Sequence, residues 1–327
     1  MVDAPRLRLG LIGTGWIVPR HLRVLARLGR TDLVGVVSRN PERAAAITTA
    51  WGGVGYTDLG RMLDEAAPEV AFVCLPPDRS AAVCEELIRW GIPFLTEKPL
   101  GAVAADPERV AAALAGSRLV TAVGYQWRGL DFLPDLQAFL AERPAHLLIA
   151  RWTGPTPGPT WWRRVAESGG QVVEQATHLY DLARLLLGEG SVVAAASARQ
   201  ARPAFPDADV DSVAAAIVRF GSGSIGSFTN SGLLPSGVVE FDLVSEGRRS
   251  TIQPDDLPDR PRWTLTVEDE SGTTVRESIR DPYEVQAEAF LDAVRDEEPG
   301  RVLSSYADAL ETDRLTRSVV AAAGSAG

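Results

Sequence analysis

Lysine is almost absent from this chain. Of the 33 basic residues one is a lysine, Lys98, and all the others are arginines. Arginine replaces lysine wherever a fixed positive charge suffices, but it cannot replace an amine whose proton must come off near neutral pH. The composition alone therefore marks Lys98. Cysteine is scarce as well: Cys74 and Cys84, on different expected elements, cannot build a disulfide framework or a zinc knuckle, and read as small buried hydrophobes. Three histidines, His21, His146 and His178, lie far apart in the chain, so no metal site is expected. Positive charge is in deficit, with 33 basic residues against 43 acidic ones and a net charge of −10. Such a chain is repelled by phosphate backbones and anionic lipid, which argues against nucleic-acid and membrane-surface partners. No run reaches the roughly 18 apolar residues of a bilayer span. The opening MVDAPRLRLGLIG runs almost directly into an apolar strand with no room for a signal peptide, and a cytoplasmic protein is expected.

What is present is an ordinary globular composition: 327 residues, 45% hydrophobic and 23% charged, a length that suggests two domains at about 150 residues each. Apolar strands at 7–12, 33–37, 70–75, 92–96 and 119–123 alternate with helical patterns, as in a parallel sheet covered on both faces. After residue 124 the strand-like stretches lengthen and alternate (147–153, 192–199, 213–220, 224–230, 238–246 and 263–268). Helices are expected at 171–187 and 282–296, and proline-rich loops at 154–160, 203–209 and 254–261. Gly221-Ser222-Gly223 reads as a hairpin turn. The fold class expected is α/β: an N-terminal doubly wound Rossmann sheet over residues 1–123, then an α+β domain over 124–327 with a large, mainly antiparallel open sheet. The second domain would bind substrate, and its open face would pair copies into a homodimer or homotetramer.

Gly13-Thr14-Gly15-Trp16-Ile17 follows the first strand and opens the first helix, the context of a dinucleotide loop. The first glycine permits the turn, and the second lets the backbone approach a pyrophosphate at the helix N-terminus. Val18 stands where a third small residue is usual, setting the helix slightly farther from the strand. At the end of the second strand an NAD enzyme usually has a carboxylate for the ribose 2′-hydroxyl; here stands Ser38-Arg39-Asn40. Arg39 suits a 2′-phosphate, so NADP is favoured over NAD.

Glu97-Lys98-Pro99 follows the fourth apolar strand, at the carboxyl edge where such sheets bind ligands. An ammonium there can hydrogen-bond a substrate hydroxyl and ease removal of its proton. Within 171–187, Glu174, His178 and Asp181 would share one helical face, with a carboxylate one turn from an imidazole that shuttles a proton. His21 and His146 read as structural. Trp161-Trp162-Arg163 offers aromatic faces and a planar cation to a sugar ring or carboxylate, and Gln126 is expected near the same substrate.

Together, GLIGTG, LTEKPL, GGQVVEQATHLYD and DPYEVQAEAFLDAV resemble the glucose-fructose oxidoreductase/inositol dehydrogenase/rhizopine-catabolism (Gfo/Idh/MocA) family over essentially the whole chain. The resemblance implies NAD(P)-dependent oxidation or reduction of a secondary alcohol or ketone on sugars, cyclitols and related polyols. It implies Lys98 and His178 as the catalytic pair, and Glu174 where the family more often has Asp. Asp181 and Tyr283 would reach substrate hydroxyls, and the loop at Leu75 and Pro76 would line the nicotinamide ribose. Two alternatives stand beside it: a glycosidase or lyase acting by transient oxidation, and a non-catalytic nucleotide sensor.

Overall fold

The computed structural model describes residues 5–200, 202–255 and 262–324. They fall into two compact units: one runs to Gln126 and takes up Pro282–Leu310 again, and the other is Trp127–Asp281 with the residues from Glu311 on. A boundary after residue 123 thus lies close to the first crossing, but the chain crosses more than once.

In the first unit a six-stranded parallel sheet is built from β1 (Leu7–Ile12), β2 (Thr31–Val37), β3 (Val54–Tyr56), β4 (Val70–Val73), β5 (Phe94–Thr96) and β6 (Thr121–Val123), ordered β3-β2-β1-β4-β5-β6. The interleaved helices are α1 (Val18–Leu28), α2 (Pro41–Trp51), α3 (Leu59–Ala66), α4 (Pro77–Trp90) and α5 (Ala105–Leu114). Strands such as β4, buried at every residue, need helices on both faces, which is why they read as unbroken apolar runs. Local chemistry sets the helix ends. The Asn40 side chain accepts the amide of Arg43 at the start of α2, with Pro41 in its first turn, while α1 and α4 end on Gly29 and Gly91, both left-handed. The short β3, with two of its three residues exposed, is the strand that the apolar pattern does not announce. The order of strands reverses between β1 and β4, so their carboxyl ends form the topological switch point where ligands of such sheets bind.

The second unit carries an eight-stranded sheet: β7 (Leu147–Pro155), β8 (Gly190–Ala198), β9 (Val213–Phe220), β10 (Ile225–Ser231), β11 (Leu233–Ser245), β12 (Arg248–Asp255), β13 (Arg262–Asp269) and β14 (Gly272–Glu277), ordered β14-β13-β12-β11-β7-β10-β9-β8. Every pairing is antiparallel except β7 with β10. β12 and β14 add to the six strands expected, and Gly221–Gly223 does turn β9 into β10. Most of the expected loop at 254–261 lies outside the described residues. On β9 Ala214, Ala216, Val218 and Phe220 are buried while their neighbours are not, the alternation of a sheet covered on one face. The helices of this part are α6 (Leu133–Glu142), α7 (Val165–Ser168), α8 (Gln171–Glu174) and α9 (Thr177–Leu187). Buried on nearly every side, α9 lies at the core, where Tyr180 stacks on Phe228 of β10 with 4.2 Å between ring centroids.

The expected helix at 171–187 is therefore two helices. The carbonyl of Gln171 accepts the amides of both Gln175 and Ala176, a π-type widening that ends α8 before α9 begins. The last two helices are α10 (Pro282–Arg295) and α11 (Tyr306–Gly324). Ala287, Phe290, Leu291 and Ala293 of α10 are buried in one apolar cluster with Leu9 and Leu11 of β1 and Val24 of α1, and that burial holds Pro282–Leu310 in the first unit. No helix among the described residues is long and apolar enough to cross a membrane.

Candidate active site

At the carboxyl end of β1 the chain turns through Gly13, whose φ of 106° L side chains rarely adopt. A Cβ there would lie 2.2 Å from the Cys74 carbonyl oxygen, so glycine is required on two counts. At Gly15 the nearest atom to an added Cβ is the same oxygen, at 3.9 Å. The backbone is open where α1 begins, and an anion can approach its amides. Thr14 and Ser38 join hydroxyls at 3.1 Å, and the Asn40 amide donates to Ser38 Oγ. These bonds tie the loop to the end of β2, leaving Trp16 and Arg39 exposed and Ile17 buried. An open glycine cradle and a helix N-terminus are the features a dinucleotide fits, with Arg39 exposed at the end of β2. Val18 is wholly buried in the cluster with Leu9 and Leu11, so its extra bulk is absorbed by the core.

Lys98 follows β5 at the same edge of the sheet, with Leu75 and Pro76 at the end of neighbouring β4. Its peptide bond to Pro99 is cis. Beside it, Glu97 meets His21 of α1, Nε2 to Oε1 at 2.7 Å, with side chains 2% and 13% exposed for His21 and Glu97. A Cβ on Gly124 would come within 2.7 Å of Glu97 Oε2, so the backbone packs directly on that carboxylate. Burial pushes the Cys74 thiol well up, with the Glu97 charge adding to it. Gln126 donates to the Tyr283 hydroxyl at 3.2 Å, while Arg20 lies over the Tyr283 ring. The structure thus brings Gln126 and Tyr283 together.

In the second unit Gly169 and Gly170, both at positive φ, turn the chain from α7 into α8. Glu174 ends α8, and its carboxylate accepts the indole N–H of Trp162. Trp162 is 2% exposed, so it holds the carboxylate rather than presenting an aromatic face. His178 opens α9 and stacks on Trp127, 4.8 Å between centroids and 23° between planes, with Trp152 behind at 6.0 Å. With the helix broken, Glu174 no longer sits one regular turn below His178. Asp181 is buried, its two oxygens taking the fork of Arg128 at 2.6 and 2.8 Å and the Thr312 hydroxyl at 3.1 Å. Thr312 in turn accepts from Arg184, which grips Glu189. Any substrate hydroxyl reached by Asp181 would share that carboxylate with Arg128. Arg163 lies over the Phe205 ring.

Comparison with known proteins fits this layout. Residues 7–125 match the Gfo/Idh/MocA model, an oxidoreductase family with an NAD-binding Rossmann fold, and residues 145–251 match the Gfo/Idh/MocA C-terminal domain. The chain is 31% identical to inositol 2-dehydrogenase of Rhizobium meliloti (strain 1021) over 69% of its own length and 68% of that protein. The chain belongs to the Gfo/Idh/MocA oxidoreductase family. The rhizopine catabolism protein MocA of Rhizobium meliloti is 25% identical over 56% of this chain, a match spanning only 58% of that relative. Two solved structures share the fold at 20% identity: a 3-ketoreductase from Actinomadura kijaniata with NADP and TDP-benzene (TM-score 0.85, 97% of this chain, 98% of that one), and levoglucosan dehydrogenase with NADH and levoglucosan (TM-score 0.86, 98% and 97%).

Within this Gfo/Idh/MocA chain, the roles of three polar groups escape a reading of the sequence. His21 reads as a structural histidine, yet it grips the carboxylate next to Lys98; its place four residues past Ile17, on the buried face of α1, was the available signal. Arg128, in the run Gln126-Trp127-Arg128 expected near the substrate, gives no local hint that its guanidinium fork meets Asp181. Arg202 lies in a loop that no motif marks.

Proposed function

We propose that this chain moves hydride between the nicotinamide of NADP and the carbinol or keto carbon of a sugar, cyclitol or related polyol. The observation that carries this reading is the chain's single lysine, Lys98, at the carboxyl edge of the sheet that also bears the open Gly13-x-Gly15 cradle. The bound dinucleotide supplies the hydride acceptor or donor. Gly13 and Gly15 admit its pyrophosphate to the start of α1, with Thr14, Trp16 and Ile17 completing the loop. Ser38 and Arg39 take the 2′-phosphate, and Leu75, Pro76 and Glu97 line the nicotinamide end. Lys98 holds the substrate oxygen and stabilises charge developing on it. His178 accepts the hydroxyl proton in oxidation and returns it in reduction, with Glu174 as its acidic partner, anchored by Trp162. Gln126, Tyr283, Arg163 and Asp181 are assigned to the substrate's remaining polar groups.

The second unit supports a homo-oligomer. Ile149, Ser227 and Ile217 align across β7, β10 and β9 on the sheet's uncovered face, and both isoleucines are exposed. Sedimentation should give a dimer or tetramer, and Ile149→Glu should release monomer.

A fluorescence titration with NADPH and NADH, using the eight tryptophans as energy donors, tests the reading. Tighter NADPH binding supports it, tighter NADH binding overturns the cofactor assignment, and binding of neither overturns the enzyme. Screening polyols and keto-sugars for nicotinamide turnover then tests the substrate class.

A further inference from the structure

Among the described residues, two arginines of the second unit have no carboxylate partner. Arg163, in the short 3-10 turn Thr160–Arg163, donates to the carbonyl of Gly158 and lies 4.6 Å over the Phe205 ring. Arg202 donates to Thr156 Oγ1 at 2.6 Å and to the carbonyl of Val210. Among the described residues neither guanidinium has a carboxylate within ion-pair distance, and the Nε of each is buried without a hydrogen-bond partner. The acids of the adjoining loop face elsewhere: Asp207 lies 3.8 Å from Arg164, and Asp209 accepts the amide of Val165. Phe205, whose ring lies under Arg163, donates its amide to the Arg202 carbonyl, which brings the two arginines together; burial lowers the pKa of Arg202 and the Arg163 charge adds to it, a repulsion that an anion between them would relieve.

Uncharged groups gather at the same place. A Cβ on Gly232 would lie 3.3 Å from Thr156 Oγ1, 3.6 Å from Arg202 Nη1 and 3.9 Å from Gln171 Oε1, so the missing side chain leaves room where all three converge. Gln171 is 2% exposed and its Oε1 has no partner among the described residues. Buried polar atoms are nearly always satisfied. An acceptor left open beside two guanidinium groups describes the complement of an anion that carries hydroxyls.

We propose that Arg163 and Arg202, with Gln171, bind a carboxylate or phosphate carried by a hydroxylated ligand. On the oxidoreductase reading above, that ligand is the substrate, which is then an anionic sugar derivative rather than a neutral polyol. Guanidinium forks match either group in geometry, so carboxylate and phosphate are the two arms of the test.

The full-length protein, saturated with NADPH to fill the nucleotide loop, is titrated calorimetrically with glucuronate, glucose 6-phosphate, glucose and inorganic phosphate at constant ionic strength. At least one of the three anions should bind at least about tenfold more tightly than glucose, and Arg202→Gln and Arg163→Gln should each weaken it by about tenfold or more, the scale of a lost charge-assisted hydrogen bond. Arg202→Lys, which keeps the charge and loses the fork, should fall between. Melting temperatures without anion confirm that the variants fold. Anion affinities unchanged in both Gln variants, or no preference of the wild type for any anion over glucose, overturn the proposal. NADPH binding by the wild type tests the oxidoreductase reading separately.

Discussion

The loop at the end of β1 and the helix pair α8–α9 are both places where this chain gathers polar groups, but they are built differently. The loop is made of backbone: a turn at φ 106°, a carbonyl 2.2 Å from where a Cβ would be, and amides left open at a helix start. The helix pair is made of side chains brought from afar. Asp181 is held by Arg128 from 53 residues upstream and by Thr312 from 131 residues downstream, and Glu174 by Trp162 across the α7 turn. The first arrangement tolerates changes of side chain but not of Cβ. The second tolerates neither loss of charge nor loss of a ring, and its own backbone yields between α8 and α9 to fit it.

Lys98→Ala should have the largest consequence. Removing the amine is expected to lower turnover by about 10²–10⁴, the usual contribution of a positioned proton-transfer group, while the Gly13 loop goes on binding NADPH. A fully active variant would sink the mechanism. Asp181→Asn sharpens the contrast on the other side. It leaves buried Arg128 without its counter-charge and should cost about 3–5 kcal/mol in urea unfolding; a loss below 1 kcal/mol would show that the fork is not what holds α9. Gly13→Ala should strain the turn by about 1–3 kcal/mol and abolish dinucleotide binding, because the new Cβ meets a carbonyl that cannot move aside. NADPH affinity retained in a folded Gly13→Ala protein would remove the loop from the site. For Arg39→Ala about tenfold weaker NADPH binding is expected, on the scale of a charged hydrogen bond, with NADH binding unchanged; equal losses for both dinucleotides would place Arg39 away from the 2′-position.

The smallest effect is a shared one. Burial raises the Cys84 thiol to about 12, and pushes up Cys74 in the first unit and Tyr180 in the second. The folded chain therefore keeps protons that the unfolded chain gives up. That stability is complete below the unfolded thiol value and is lost as pH climbs from about 9 toward 12. Unfolding midpoints measured between pH 8 and 11 should fall steadily; a rise would contradict burial as the cause.

Particular residues show how far the chain could be read before folding. The turn at Gly13 and the start of α1 were legible because strand, turn and helix start are neighbours in sequence. Lys98 was legible by composition alone. His178 and Glu174 were legible as a spacing, but the regular helix which that spacing assumed is interrupted after Glu174, since the carbonyl of Gln171 takes two amides. Trp162 looked like a sugar platform and is buried as the donor to Glu174. α10, read with the second domain from its position in the chain, packs in the first unit because its apolar face completes the cluster around Leu9 and Leu11.

By itself the sequence determined the class of fold, the alternation of apolar strands with helices, and the glycine turn after β1. Those follow from apolar runs, helix caps and the absent Cβ of glycine, all of which act over a few residues. Only the tertiary structure decided which carboxylate each arginine meets. It set His21 against Glu97 and Arg128 against Asp181, and among the described residues it left Arg163 and Arg202 with no carboxylate within ion-pair distance. Charges pair through space, and nothing local in a chain records which partner the fold will bring within 3 Å.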